Sequence, residues 1–409
     1  MCTRRYFLRC SALAMTGVGI APPWLLRAAG QAGEVGQTAR AMKKRKILVA
    51  IFQRGAADGL NVVVPFFETA YYEMRPTIAV PQPGKENGGI DLDGRFALHP
   101  SLQPLKPLWD GRQLALIHAV GSPDPTRSHF DAQDFMESGT SGKTGEDGWL
   151  NRALPSEPGA SPLRAIAIGA QLPRTLRGSR QAVAVNNLQQ FESRNKDMAA
   201  ILETMYASTP DPRLMASGKE TFEAVKMIES VNRNPYTPAN GAPYQGGFGN
   251  ALQQVARLIK ADIGVEAAFA DIGGWDHHVN EAPQLTSLLR EFGASLAAFT
   301  RDMGDRMEDI VLVTMSEFGR TAREDGNAGT DHGHGNVMMV FGGSVRGGKV
   351  YGRWPGLEPE QLYEGRDLAV TTDFRDVLGE LVSSHLGRDA AQVFPGYKPA
   401  ERLGLIRKA

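Results

Sequence analysis

After residue 44 the chain alternates between short, wholly apolar runs and longer stretches that carry an apolar stripe. The runs are ILVAIF (47–52), LALIHAV (114–120), LRAIAIG (163–169), GVEAAFADI (264–272), DIVLVTM (309–315) and VMMVFGG (337–343). Each has the length of a strand, and apolar residues on both faces place such strands inside a sheet covered by helices. Helical periodicity lies between them, at 128–138, 195–208, 218–232, 248–261, 283–307 and 373–387. The alternation predicts an α/β fold with a doubly wound, largely parallel sheet and helices on both faces. The interval 170–262 is mostly helical and contains a Pro/Gly-rich break at 232–249, so it reads as a helical insertion or cap within one domain spanning 44–409.

The segment before this domain has a different pattern. Arg4 and Arg5 precede Phe7 and Leu8, followed by the apolar run SALAMTGVGIAPPWLL and small residues near 28–32. This is the layout of a twin-arginine export signal, with residues 1–43 forming signal and linker. It implies the twin-arginine translocation machinery as a partner and a periplasmic or secreted destination. An apolar run of 16 residues broken by Gly and a Pro pair is too short for a stable membrane span in the mature form. Both cysteines, Cys2 and Cys10, lie in this segment. A mature chain without it has no disulfide, thiolate metal site or cysteine nucleophile.

Composition narrows the partner. With 42% hydrophobic residues the 409-residue chain can bury a substantial core, and 45 basic against 45 acidic residues leave no net charge. No electrostatic feature favours a nucleic acid, which points to a small ligand or a protein partner.

In an open α/β sheet, ligands collect beyond the carboxyl ends of the strands. Asp58 follows the first apolar run, and Arg127, Ser128 and His129 follow the second. Asp276, His277 and His278 follow the fourth, and Ser316, Glu317 and Arg320 the fifth. In extended backbone Asp276 and His278 point to one side and His277 to the other. Oxygen and imidazole together suit zinc, iron or manganese better than calcium. GTDHGHGN (329–336) adds Asp331, His332 and His334, but it precedes a strand instead of following one. It reaches the same rim only if that strand runs antiparallel or the loop folds back. His332 would then be a third ligand and leave an open coordination position.

Plainer readings compete at each position. Asp276 can cap the following helix, the glycines of 329–335 can form a mobile polar lid, and Asp58 can close an Asp-Gly turn. Glu317 can pair with Arg320. Ser128 can be a helix N-cap with Asp131 as its capping partner, or a nucleophile at a helix N-terminus with Arg127 holding phosphate or sulfate oxygens. His99, His118 and His385 sit in ordinary patterns and read as structural or solvated.

Taken together, QRGAADGLNVVVPF, TRSHFDAQ, GGWDHHVNE, VLVTMSEFGRTAREDG and GTDHGHGN resemble, in order and over nearly the whole mature chain, the alkaline phosphatase and sulfatase superfamily. The resemblance is strongest to its twin-arginine-exported branch, domain of unknown function 1501. AVTTDFRDVLGELV resembles a late strand-to-helix segment of sulfatases. The resemblance implies an alkaline phosphatase-like fold and metal-assisted attack on a phosphate or sulfate ester. By position it makes Ser128 the nucleophile, and it makes Asp58, Asp276, His278, Glu317 and His332 metal ligands, with His334 as the second choice for His332 and His129 as a substitute ligand. Arg127, from its own chemistry beside the helix N-terminus, would stabilise charge on the ester oxygens, and Asp331 and Arg320 are reserves or outer partners.

Phe318 stands where the superfamily has a histidine, so the expectation is one divalent ion, zinc, manganese or similar, with a second site short of a ligand. The expected function is an exported metal-dependent ester hydrolase acting on a small-molecule or polymer substrate. The alternative is a non-catalytic exported binding or assembly protein on the same fold. The enzyme reading requires Asp58, Ser128, Asp276, His278, Glu317 and His332 to fall within one small sphere, with His332 facing Asp276 and His278.

Overall fold

A computed structural model describes residues 45–140, 145–157, 160–188, 196–400 and 402–407. The paired arginines, both cysteines and the rest of the segment read as an export signal lie outside the described residues. The main sheet is built from β1 (Ile47–Gln53), β2 (Leu114–Gly121), β3 (Ala165–Ile168), β4 (Val183–Val185), β5 (Ala267–Ile272), β6 (Ile310–Met315), β7 (Asn336–Gly342) and β8 (Lys349–Tyr351). In space they run β8-β2-β7-β6-β1-β5-β3-β4, and the two-residue β9 (Thr372–Asp373) also pairs with β2.

Every residue of β1 is buried, and successive side chains enter opposite layers. Ile47, Val49 and Ile51 join the core under α4 (Gly246–Lys260) and α5 (Glu281–Met303), with Phe248, Leu252 and Phe292. Leu48, Ala50 and Phe52 join the opposite core, with Trp149, Met136 and Phe374 from α6 (Phe374–Glu380). The period-2 split of one apolar strand into two cores is the signature of a sheet covered on both faces.

Among these strands β7 alone runs against the rest: it pairs antiparallel with both β2 and β6, while the other pairings are parallel. Asn336, at its start, sits opposite Val120 near the end of β2. The residues just before β7 therefore emerge at the carboxyl rim of the parallel strands. This is the condition under which 329–336 can meet the other rim loops.

The interval 170–262 is less of an insertion than its helical periodicity suggests. It contributes the edge strand β4, and α4 packs its buried face on the main core. Between these lie α2 (Lys196–Ala207) and α3 (Pro212–Asn232). Among the described residues no helix is long and apolar enough to cross a membrane.

Candidate metal centre

The rim gathers four donors. α1 (His129–Ser138) starts directly after the turn that follows β2, and its first residue turns its ring inward. His129 Nε2 lies 3.0 Å from His332 Nε2, and His278 Nε2 lies 3.1 Å from that same atom. The Asp276 carboxylate closes the group, 2.8 Å from His278 Nε2, 3.3 Å from His332 Nε2 and 3.5 Å from His129 Nε2. A tetrahedral zinc ion with bonds of about 2.1 Å sets its donors about 3.4 Å apart, close to these separations. Two overlapping groups could hold an ion, His129 with Asp276 and His332, and His278 with Asp331 and His332.

What lies behind each ring fixes what its Nε2 presents. His332 Nδ1 is 3.0 Å from the Arg127 carbonyl oxygen, which can only accept, so this nitrogen carries the hydrogen. His129 Nδ1 is 2.8 Å from Glu317 Oε1. Glu317 is buried, yet its pKa is lowered by hydrogen bonds from His129, Gln133 and the Gly55 N–H, so it is an acceptor as well. In their neutral forms both rings thus turn bare Nε2 lone pairs toward each other across 3.0 Å. Such a contact repels unless a cation or a proton lies between the rings. The bond to Glu317 raises the pKa of His129, whereas burial and the nearby His129 and Arg320 charges lower that of His332. Rings anchored through Nδ1 with Nε2 turned to a common point are the arrangement by which proteins orient imidazole ligands.

Arg320 and Phe318 complete the walls. Arg320 is buried and donates from Nη1 to Asp276 Oδ1 at 2.7 Å. Burial favours the neutral acid, but Arg320 prevails and holds Asp276 below the usual carboxylate range. The Phe318 ring lies 5.0 Å from that of His129 and 5.1 Å from that of His332, forming an apolar backing. On the open side, the side chains of His278 and Asp276 are 42% and 44% exposed.

Segment 329–336 is clamped to its neighbours, which argues against a mobile lid. Thr330 N–H donates to the His277 carbonyl, Gly333 N–H to Gly319 and Gly319 N–H to His334. A Cβ on Gly329 would lie 2.3 Å from the His278 carbonyl carbon, and one on Gly333 would lie 2.3 Å from that of Arg320. Glycine serves here to let backbones touch.

The model of the family described as "Protein of unknown function (DUF1501)" matches residues 109–393. The chain belongs to this family. Comparison with curated proteins returns no match. Among solved structures, the DUF1501 chain is similar to the PsFucS1 sulfatase from Pseudoalteromonas sp., at 12% identity and a TM-score of 0.38, covering 98% of this chain and 77% of that one. It is also similar to the PH0037 protein from Pyrococcus horikoshii, at 12% identity and TM-score 0.31, covering 74% and 87% of the two chains. A third is a protein in the alkaline phosphatase superfamily from Vibrio parahaemolyticus, at 10% identity and TM-score 0.30, covering 82% and 68%. Values this low leave the reading of the site to the chain's own residues.

The other positions singled out in the DUF1501 sequence divide as follows. Asp58 is buried and caps the short helix Gly59–Val62, and the buried Arg75 guanidinium grips both its oxygens. Its carboxylate is thus neutralised by an arginine, outside the cluster. Glu317 stands one layer back, behind His129. Asp331 is held by Arg366 at 2.8 Å and lies 3.8 Å from His278 Nδ1. His334 is buried against the Tyr363 ring, at 4.4 Å between centroids. Ser128 caps α1, its Oγ 3.5 Å from the Asp131 N–H. The Arg127 guanidinium is committed to Asp367 at 2.6 Å and Glu364 at 2.7 Å, so the residue serves the centre through its carbonyl.

Spacing leaves open which way a ring at a helix start turns, so the sequence marks His129 only as a reserve. Nothing in the sequence marks Arg75, Glu281, Thr330, Arg366 or Asp367. Each is an unremarkable polar residue in sequence, and only tertiary packing gives it a partner.

Proposed function

We propose that this chain is a metal-dependent hydrolase of phosphate or sulfate esters that works with one divalent ion, zinc or manganese. The observation that supports this reading is the convergence of His129 Nε2, His278 Nε2, His332 Nε2 and the Asp276 carboxylate, with Glu317 and the Arg127 carbonyl anchoring two of the rings from behind. A bound divalent ion would supply positive charge against an ester oxygen. One ion, and not two, fits the committed state of Asp58 and the apolar face of Phe318.

The chain's own residues divide the remaining work. Ser128 lies between the residue whose carbonyl holds His332 and the residue whose ring enters the cluster, at the N-terminal turn of α1 where backbone N–H groups favour an anion. We assign its hydroxyl the role of nucleophile: Oγ bonds to phosphorus or sulfur, the alcohol leaves, and water then frees the serine. Phe130 follows His129 and is 90% exposed, so its ring is free to lie against an apolar part of the ester. The two arginines of the amino-terminal segment support export by the twin-arginine route as part of the same proposal.

Turnover of a panel of aryl phosphates and aryl sulfates by the metal-loaded protein tests the reading, with Ser128→Ala alongside. Turnover that the variant loses supports the enzyme. Bound metal without turnover of either ester class favours the non-catalytic binding or assembly protein, a reading also consistent with the commitment of Arg127 to Asp367 and Glu364.

A further inference from the structure

Behind Asp276 a chain of polar side chains runs inward with no exposed member. Arg320 Nε donates to Thr330 Oγ1 at 3.0 Å, its Nη2 donates to the Thr330 carbonyl, and its Nη1 reaches Asp276 Oδ1 at 2.7 Å. Thr330 Oγ1 in turn donates to Glu281 Oε2 at 2.6 Å. Glu281 Oε1 accepts from Asn61 Nδ2 at 3.4 Å, and Asn61 Oδ1 accepts from Tyr71 at 2.7 Å and from Arg75 at 2.8 Å. Arg75 closes the chain on Asp58. Arg320, Thr330, Glu281, Asn61, Tyr71, Arg75 and Asp58 are all buried, at 2% exposure or less.

We infer that Thr330 and Glu281 are positioning residues of the cation centre, which lock the Arg320 guanidinium at a fixed angle and through it hold the Asp276 carboxylate among the three imidazoles. The inference rests on the proposed metal site and deepens it. A guanidinium is a rigid fork, so fixing Nε and Nη2 on one residue determines where Nη1 points. Both fixing contacts come from Thr330, one from its hydroxyl and one from its carbonyl. The hydroxyl has two duties: it accepts from Arg320 and must donate its single hydrogen elsewhere, and Glu281 takes that hydrogen. Glu281 reaches the cluster through the Thr330 hydroxyl and Arg320. Burial, with the Asp58 carboxylate close by, raises the Glu281 pKa well above its ordinary value, in keeping with a carboxyl group that is protonated on one oxygen while the other accepts from Thr330.

The test is zinc and manganese affinity of the full chain, by competition with a chromophoric chelator, for wild type, Thr330→Val and Thr330→Ser. Valine keeps the shape and removes the hydroxyl, and serine restores it. Loss of outer partners of metal ligands typically weakens binding about 10- to 100-fold, and that is the expected loss in Thr330→Val, with Thr330→Ser recovering most of it. A purely structural role would lower the melting temperature of the metal-free protein and leave the metal dissociation constant unchanged. Should Thr330→Val not fold, Thr330→Ala removes the same hydroxyl without the second methyl group. Wild-type affinity in a folded hydroxyl-free variant overturns the positioning role while leaving the metal reading intact. Failure of the wild type to bind either ion overturns both.

Discussion

Glu317 Oε1 and His129 Nδ1 lie 2.8 Å apart, and the opposite nitrogen of the same ring lies 3.0 Å from His332 Nε2. The carboxylate thus decides which nitrogen of His129 carries hydrogen and where its lone pair points. Glu317→Gln keeps the size of the side chain and removes its charge. It is expected to weaken zinc binding about tenfold or more, measured by chelator competition, with little change in melting temperature of the metal-free protein. Complete loss of the site in Glu317→Gln would instead make Glu317 a direct ligand.

Asp58 supplies a contrasting prediction. Breaking a buried ion pair by neutralising one partner strands the other charge, at a cost of about 3–5 kcal/mol. Asp58→Asn should therefore lower stability by about that amount in urea titrations, through the uncompensated Arg75, while folded protein retains its metal. A stable variant that has lost its ion would place Asp58 in the coordination sphere.

The clamp on 329–336 predicts an effect of a single methyl group. The Cβ of Gly333→Ala would lie 2.3 Å from the backbone of Arg320, and the neighbour is main chain with no side-chain freedom. Overpacking of this kind costs about 1–3 kcal/mol. The displacement falls next to His332, so metal affinity should drop together with stability, as calorimetric melting with and without zinc would register. Unchanged values for both would mean that the loop is loose.

Three buried histidines away from the cluster contribute to the acid limb of stability. Burial lowers His99, His118 and His385 from 6.5 to about 4. In His118 the neutral form is also required by geometry, since Nδ1 accepts the Ala119 N–H while Nε2 faces the Val63 carbonyl. A depressed folded pKa means that the unfolded state binds the proton first as pH falls. The stabilisation is complete above about pH 6.5, declines as pH drops toward about 4, and is gone below that. For His118 alone it amounts to about 3 kcal/mol. Urea titrations from pH 7 to pH 4 should show this decline, and His118→Asn should flatten it.

The two-core sheet was readable because apolar runs such as 47–52 and 310–315 need burial on both faces, a local property of the residues. The direction of β7 was not readable, since nothing in Val337 or Met338 distinguishes parallel from antiparallel pairing. Asp276, His278 and His332 could be singled out by donor type and spacing, whereas the inward turn of His129 depends on where α1 begins relative to Glu317, nearly two hundred residues away in sequence. Asp58 illustrates the reverse: a carboxylate after a first strand invites a metal reading, and only the packing of Arg75 against it shows what it binds in this fold. The amino-terminal export reading rests on Arg4 and Arg5, outside the described residues.

One cation centre formed by His129, Asp276, His278 and His332 is tested by the metal content of the purified full chain, measured by elemental mass spectrometry after loading with zinc or manganese and desalting, for wild type, Asp276→Asn and His332→Ala. The expected result is one ion per wild-type chain and a fraction of that in either variant, each folded by circular dichroism. Metal-free wild type, or variants that hold as much metal as wild type, would rule the centre out.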